Sequence, residues 1–308
     1  MMTGLVFVSH PLQAAFLDDG WGARPVGMGG AFSAIADDSN APLFNPAGIT
    51  QVQWNEMTAM YASLYSGLTL YSGNDTVNLG QSYLAFVAKP NRHFGSWGIS
   101  WANFTTTHLY REDTVSLTYA RNVGDLFPVF DNMLSVGTNI KYLHRGVTLD
   151  SLTANDPVFA GGSTANALTF DLGLLFKPEE GPLAGFRAAL VGQNLNQPNV
   201  GFQEDDAVPT DLRLGFAYQA QQIPWLVPDL DLEHRNGITE AHFGIESWLF
   251  HDTLGLRTGV NSDEVAAGVS FYQAFDKKFG FRLDYGFTFP FFIQDTNGSQ
   301  RLAITLYF

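Results

Sequence analysis

The residues best suited to chemistry are scattered along this sequence, and their spacing points away from catalysis. Gly27-Met28-Gly29-Gly30-Ala31-Phe32 has the glycine density of a phosphate-cradling loop. It lacks the third glycine of a dinucleotide fingerprint, and no strand pattern precedes it. No G-x-S-x-G elbow and no H-E-x-x-H helix occurs. The seven histidines, His10, His93, His108, His144, His234, His242 and His251, show no metal-ligand spacing. Cysteine is absent, which removes thiolate nucleophiles, thiolate metal sites and disulfide frameworks together. Asp37-Asp38 beside Asn40 could hold a cation, but capping or an internal hydrogen-bond network is the plainer expectation. Asp295-Thr296-Asn297-Gly298-Ser299 reads as an ordinary turn-rich loop. With no nucleophile–base set, neither an enzyme nor a bound cofactor is expected. Thirty Asp and Glu against 16 Lys and Arg give a net charge of −14, which disfavours nucleic acid as a partner.

The remaining chemistry lies in isolated charges. Arg187, Asp211, Arg213, Asp231, Glu233, Glu246, Arg257, Arg282, Asp284 and Arg301 each sit beside at least one apolar neighbour. The elements that would position them are strands. From Phe279 to Phe289 the odd positions are Phe, Phe, Leu, Tyr, Phe and Phe. Between them lie Gly280, Arg282, Asp284, Gly286 and Thr288. Successive strand side chains point to opposite faces, so this pattern gives one greasy face and one polar or small face. The same period of two runs through 55–65, 80–89, 94–104, 112–122, 132–145, 165–177, 184–193, 208–220, 226–234, 239–249, 253–261, 263–272, 278–289 and 299–308. That is an even count of about fourteen strands, most near the length that crosses a bilayer at a tilt. No apolar run is long enough for a transmembrane helix.

A β-sandwich would bury the apolar faces against each other. A transmembrane barrel would turn them to lipid and keep a polar lumen. The barrel is favoured for three reasons. The polar face is small and charged, as a lumen requires. Aromatics recur near strand ends, at Tyr83, Tyr119, Trp248, Phe250, Phe291, Phe292 and Tyr307, where an interfacial girdle belongs. The longer connections, 66–79, 146–164 and 194–207, fall at one end. Charged residues are 15% of the chain, below the roughly 25% of soluble domains, as a lipid-facing surface implies. Charge on the lipid face would cost about 2–4 kcal/mol at the midplane, so the ten charges above are expected inside. A Gly-rich strand, as at Gly95 and Gly98, is a candidate lateral exit.

The chain ends on alternating apolar residues, Leu302, Ile304, Leu306 and Phe308, with an aromatic last. This resembles the C-terminal signature that outer-membrane barrels present to their assembly machinery. Residues 1–15 read as the remnant of a secretory signal whose start lies upstream. Residues 16–50 do not alternate and are rich in Gly and small residues, which suits a hatch or plug folded inside a lumen. Residues 51–308 form the barrel.

Gly22-Ala23-Arg24-Pro25-Val26-Gly27-Met28-Gly29-Gly30-Ala31-Phe32, then Ala36-Asp37-Asp38, then Phe44-Asn45-Pro46-Ala47-Gly48, resemble the opening of the PorV/PorQ-like outer-membrane proteins. Weaker likenesses follow at Lys141-Tyr142-Leu143, 170–175, Gln193-Asn194-Leu195 and 212–218. That group is part of the wider FadL-like set of hydrophobic-compound transporters. The resemblance implies an all-β, fourteen-stranded antiparallel barrel in the bacterial outer membrane with an N-terminal hatch. It implies gate residues at Gly27, Met28, Gly29, Gly30, Phe32, Asp37, Asp38, Phe44, Asn45, Pro46, Ala47 and Gly48. Ligand contacts are expected among Phe32, Ile35, Leu43 and Phe44. The partners it implies are outer-membrane lipid, the barrel-assembly machinery, and hydrophobic or amphipathic small molecules. The alternative is a non-enzymatic component of protein secretion or surface anchoring, with exported proteins as partners.

Overall fold

Alternating polarity becomes alternating burial in the computed structural model of the chain. The structure describes residues 15–16 and 20–308 apart from 69, 73–74, 92, 108, 126, 128–132, 152 and 276–278. The segment expected to be a signal remnant, Ala15 excepted, lies outside the described residues, as do His10 and His108. Fourteen strands close into one antiparallel barrel. They are β1 (Glu56–Leu64), β4 (Leu79–Val87), β5 (Ser96–Thr106), β6 (Tyr110–Asn122), β7 (Leu134–Val147), β8 (Thr164–Phe176) and β9 (Phe186–Gln193). The ring continues through β10 (Asp211–Tyr218), β11 (Leu226–Arg235), β12 (Ile238–Leu249), β13 (Leu254–Val260), β14 (Glu264–Ala274), β15 (Gly280–Pro290) and β16 (Ser299–Tyr307). Each coincides with one predicted segment, with ends shifted by up to three residues. A separate two-stranded hairpin, β2 (Leu70–Ser72) with β3 (Asp75–Val77), occupies what the sequence presents as a plain loop. Its three-residue arms are too short to show a period.

The ring closes where β1 pairs with β16, from Glu56↔Tyr307 to Ser63↔Gln300. Closure leaves no open sheet edge, which is what hydrocarbon demands of a spanning sheet. Along β15, Gly280, Arg282, Asp284, Gly286 and Thr288 turn inward and are buried, while Leu283, Tyr285 and Phe289 face out. At the C-terminus, Leu302, Ile304 and Phe308 are exposed on the outer surface, and the Phe308 ring stacks on Phe86 at 6.2 Å.

Two features mark the limits of the apolar band. At the end holding the barrel's first and last residues, the connections expose Phe94, Phe127, Leu183, Trp225, Phe250 and Phe275. At the other end, Asn103, Asp113, His144 and Asn166 pair across β5–β8 in one outward row. The next row toward the middle is Trp101, Val115, Tyr142 and Leu168. Trp101 Nε1 and Tyr142 OH donate to Asp113 and Asn166 at 2.9 and 2.7 Å, so the aromatic bodies lie on the apolar side and their polar tips on the wet side. Three expected girdle aromatics belong elsewhere. Tyr83 and Tyr307 are buried in the lumen, and Trp248 lies under the inward Arg257 guanidinium at 5.2 Å. Strand parity, which counts from the pleat and not from the strand end, places them there. The connection-length trend is also incomplete. The longest, 65–78, 148–163 and 194–210, share one end, but so do the tightest, 107–109, 236–237 and 261–263.

The core lies between the wall and residues 20–52, which pack inside the ring. Contact is close because the wall presents glycines. Gly137↔Gly173, Gly244↔Gly259 and Gly268↔Gly286 are directly paired on neighbouring strands. A Cβ added at Gly259 would stand 2.1 Å from the Met28 carbonyl carbon, and one at Gly286 would stand 2.4 Å from the Ala23 oxygen. Gly137 and Gly173 admit Pro46 and Ala47 in the same way. Gly259→Val should therefore lower the melting temperature of the purified barrel, through overpacking on the order of 1–3 kcal/mol. Gly146→Ala, whose added carbon meets nothing closer than 3.5 Å, should leave it unchanged.

Candidate functional site

Residues 20–52 form only one- or two-turn pieces of helix: α1 (Ala23–Val26), α2 (Ala41–Phe44) and a 3-10 turn at Pro46–Gln51. Prolines at 25, 42 and 46 and positive-φ glycines at 22, 29 and 30 prevent longer helices. So short a fold satisfies only part of its own backbone, and side-chain bonds between segment and wall add to it. Asp231 Oδ2 accepts the Phe32 and Ser33 amides at 3.1 and 2.9 Å. Asn139 and Gln193 donate to the Pro42 and Leu43 carbonyls, each at 2.8 Å. Asn45 donates to Leu174 O at 3.2 Å, Tyr83 OH donates to Ser39 O at 2.8 Å, and Arg301 Nε donates to Gly20 O at 2.9 Å.

The strongest tie is Arg24. Its Nε and Nη2 grip both oxygens of Glu246 on β12 at 2.8 and 2.7 Å. Its Nη1 meets Asp37 at 2.6 Å and Asp38 at 2.9 Å. Arg282 reaches the same Asp38 oxygen at 2.7 Å and Asp284 at 2.8 Å, while Arg257 Nε meets Glu246 at 2.5 Å. Arg187 lies 3.6 Å from Asp37. Seven of these charges are buried, with Asp37 partly exposed. A second cluster joins Arg213 to Asp211 and Glu233, with Arg235 also on Glu233, all at 3.0 Å.

The ten charges expected in the lumen are thus all buried, and Arg187, Asp211, Arg213, Glu233, Glu246, Arg257, Arg282 and Asp284 enter ion pairs. The expected gate residues occupy one path. Gly27 faces Gly268, Met28 fills the gap at Gly244 and Gly259, and the Gly29 carbonyl meets His242 Nδ1 at 2.9 Å. Gly30 packs on the His242 ring, and Phe32 meets Phe44 edge-on at 5.4 Å. Asn45 caps Ala47 N at 3.0 Å, and Pro46, Ala47 and Gly48 pass close to Gly137, Gly173 and Ala36. Asp37 and Asp38 pair with Arg24, and Asp38 also accepts from the Asn40 amide.

Two expectations change. Phe32 and Ile35 are buried in the core, whereas Leu43 and Phe44 line cavities. Gly98 is held in unbroken ladders, to Val87 on one side and Thr118 on the other, and Gly95 sits in a tight turn at φ 74°. A lateral exit there has no support. The thin seam is instead β8–β9, where pairing runs only from Leu172↔Gly192 to Phe176↔Ala188. Beyond it, Leu195 N and Asn196 Nδ2 bridge to the Phe170 and Leu168 carbonyls at 3.1 and 2.9 Å. Residues missed at first are Arg24 and the buried Lys141–Asp171 pair at 2.7 Å. Arg24 carried a signal: it is the first Lys or Arg in the chain, and the next is Lys89.

Three cavities flank the segment. One of about 80 Å³ lies between Phe16 and Leu43 and is walled by Phe104, Leu143, Lys141, Asp171 and Asp211. A second, of about 250 Å³, runs past Phe44, Arg213 and Glu233, and a third, polar and about 340 Å³, adjoins Thr50, Gln51, Ser135 and Lys177. Among the described residues no cluster suited to a metal ion occurs.

Solved structures of similar shape include monoaromatic hydrocarbon channels. A TodX deltaS2S3 mutant, a monoaromatic hydrocarbon channel, superposes with a TM-score of 0.62 at 13% identity over 94% of this chain and 98% of its own. The chain has the fold of these channels. The CymD monoaromatic hydrocarbon channel matches at 0.55 and 15% identity over 92% and 95%. A Pseudomonas aeruginosa FadL homologue matches at 0.54 and 13% over 92% and 97%. No family model and no curated protein matches the sequence.

Arg24→Gln should strand buried carboxylates at a cost of about 3–5 kcal/mol. In this cysteine-free chain, a single Ala34→Cys should label slowly with maleimide, and the added Arg24→Gln should speed it at least tenfold. Burial pushes the Asp38 carboxyl up, but Arg282 and Arg24 outweigh it and hold it well below the usual range. A depressed folded value means the stabilisation is complete above the ordinary Asp value near 3.9 and lost as pH falls through the folded one. The Asp38 contribution, read as the difference in melting temperature between the protein and Asp38→Asn, should therefore stay level from pH 8 to about 5 and fall only in stronger acid. A loss of that contribution between pH 7 and 5 would count against this role for Asp38.

Proposed function

We propose that the protein is a bacterial outer-membrane channel for hydrophobic or amphipathic small molecules, with residues 16–50 as its gate. The observation that carries this reading is the combination inside one closed barrel. An N-terminal segment fills the lumen through reversible contacts, ion pairs and hydrogen bonds, and amphipathic space remains beside it. A permanent structural filler would need no cavity between Leu43 and the wall. The fold shared with hydrocarbon channels supports the same class of cargo. The apolar outer surface with aromatic limits supports a lipid bilayer as its surroundings. The C-terminal residues Leu302 to Phe308 suit recognition by barrel-assembly machinery.

Deletion of residues 16–48 tests the gate. In outer membranes carrying the truncated barrel, uptake of an aromatic probe and ion conductance in planar bilayers should both rise. Unchanged uptake and conductance in a folded truncation would refute gating. Exported proteins co-purifying with a barrel inert to small molecules would favour a secretion role instead.

A further inference from the structure

We infer that His242 is a pH-sensitive catch on the gate: its doubly protonated ring holds the Gly29–Gly30 turn against the wall, and loss of one proton loosens that turn. This rests on the gate reading and adds what regulates it. The His242 ring, on β12, is buried and lies between two acceptors. Nδ1 stands 2.9 Å from the Gly29 carbonyl oxygen, which can only accept, so Nδ1 carries a proton. Nε2 makes no regular hydrogen bond among the described residues, but Glu233 Oε2 is 3.3 Å from it. Glu233 also takes Arg213 and Arg235, each at 3.0 Å, so it is an ionised carboxylate with no proton to offer. A neutral imidazole has a single N–H. It would turn a lone pair on either the Gly29 oxygen or the Glu233 carboxylate. The imidazolium suits both.

His144 and His234 differ in this respect. Their Nδ1 atoms face the Asn166 side-chain amide at 2.7 Å and the Thr239 hydroxyl at 2.8 Å, groups that can rotate to donate or to accept. The charges around His242 favour the doubly protonated ring as well. It borders the cavity of about 250 Å³ together with the carboxylates of Glu233, Glu240, Asp263 and Glu264 and the guanidiniums of Arg213 and Arg235. Four negative groups against two positive ones favour a further cation. From the segment, the Gly29–Gly30 main chain faces the ring, so closely that a Cβ added at Gly30, φ 86°, would stand 2.9 Å from Nδ1. The cavity extends to Tyr65 and Asn261, at the end with the longer connections, so the ring answers to pH on that side. Asn261 Nδ2 donates to the same Gly29 oxygen at 3.2 Å and keeps one tie when His242 loses its proton. The catch therefore loosens the turn without expelling the segment, which Arg24 still holds. Its contribution is complete while the ring carries both protons and is lost as pH rises.

In this cysteine-free chain, Ala31→Cys places one buried thiol beside the turn. Its maleimide labelling rate is measured on the full chain in lipid nanodiscs and divided by that of glutathione at the same pH, which cancels the titration of a free thiol. This ratio should rise about three- to tenfold between about pH 6 and pH 9, the range expected when the closed turn binds one proton more tightly than the open one. With His242→Asn, whose amide can still donate to Gly29 but does not titrate, the ratio should be flat. Asn261→Ala, which keeps His242 and removes the second tie to Gly29, should enlarge the rise. A flat ratio in the parent chain, or the same rise with His242→Asn, would overturn the inference. So would an Asn261→Ala rise no larger than the parent's, a comparison that stands even where His242→Asn fails to fold. Conductance in planar bilayers separates the catch from the gate reading. If labelling follows pH through His242 while conductance stays constant, the catch stands and gating fails. If conductance rises with pH equally in the parent chain and in His242→Asn, gating stands and the catch fails.

Discussion

One constraint organises the wall: the outer face of the ring is apolar along its middle, so the charges of that stretch turn inward. A strand offers only two faces, and fourteen of them commit one face to lipid. The charged residues of the wall then converge on a narrow lumen. Left alone there they would be unpaired and desolvated, which is costly for each ion. Something must neutralise them from inside. Wall-to-wall pairs such as Arg213–Glu233 do part of this. Glu246 and Arg282 instead reach into the lumen and find Arg24 and Asp38 there.

Arg24 is where the two halves of the chain meet. Its guanidinium supplies a planar fork to Glu246 and a second edge to the aspartates of its own segment. Lysine could supply the charge but not that geometry. The glycine pairs of the wall are the steric counterpart. Charge complementarity draws the segment to the wall, and missing Cβ atoms let its backbone come close enough for the contacts to form. Neither device is sufficient alone: ion pairs at these distances need the backbone seated, and a glycine groove without charge would hold any small chain.

The barrel was legible in the sequence because its cause is local. Period-two alternation is imposed on each strand separately by lipid on one side, and it survives from Phe279 to Phe289 without interruption. The inward set of charges was legible for the same reason. What could not be read was partnership. Arg24 lies more than 200 residues from Glu246, and nothing in either neighbourhood names the other. Tyr83, Trp248 and Tyr307 were placed by their nearness to strand ends, while their true faces depend on pleat parity. The seam at β8–β9 was hidden because β8 itself is long and regular; it is the shortness of β9 and the turn at Asn194, φ 52°, that leave the outer half of β8 without a strand partner on that side.

Magnitudes limit what an occupant of the small cavity could do to the segment. Shifting a two-state equilibrium from one extreme to the other takes about 5.5 kcal/mol of differential affinity. A charge-assisted hydrogen bond contributes about 1.5–3 kcal/mol, and burying one apolar ring about 2–3 kcal/mol. Their sum barely reaches that figure before any loss on ordering the ligand. Breaking the Arg24 contacts costs a comparable amount by itself. Cavity occupancy and latch release are therefore too close in energy for one small ligand to expel the whole segment. The part within reach is the stretch carrying Pro42 and Leu43, whose carbonyls are held by single neutral hydrogen bonds from Asn139 and Gln193.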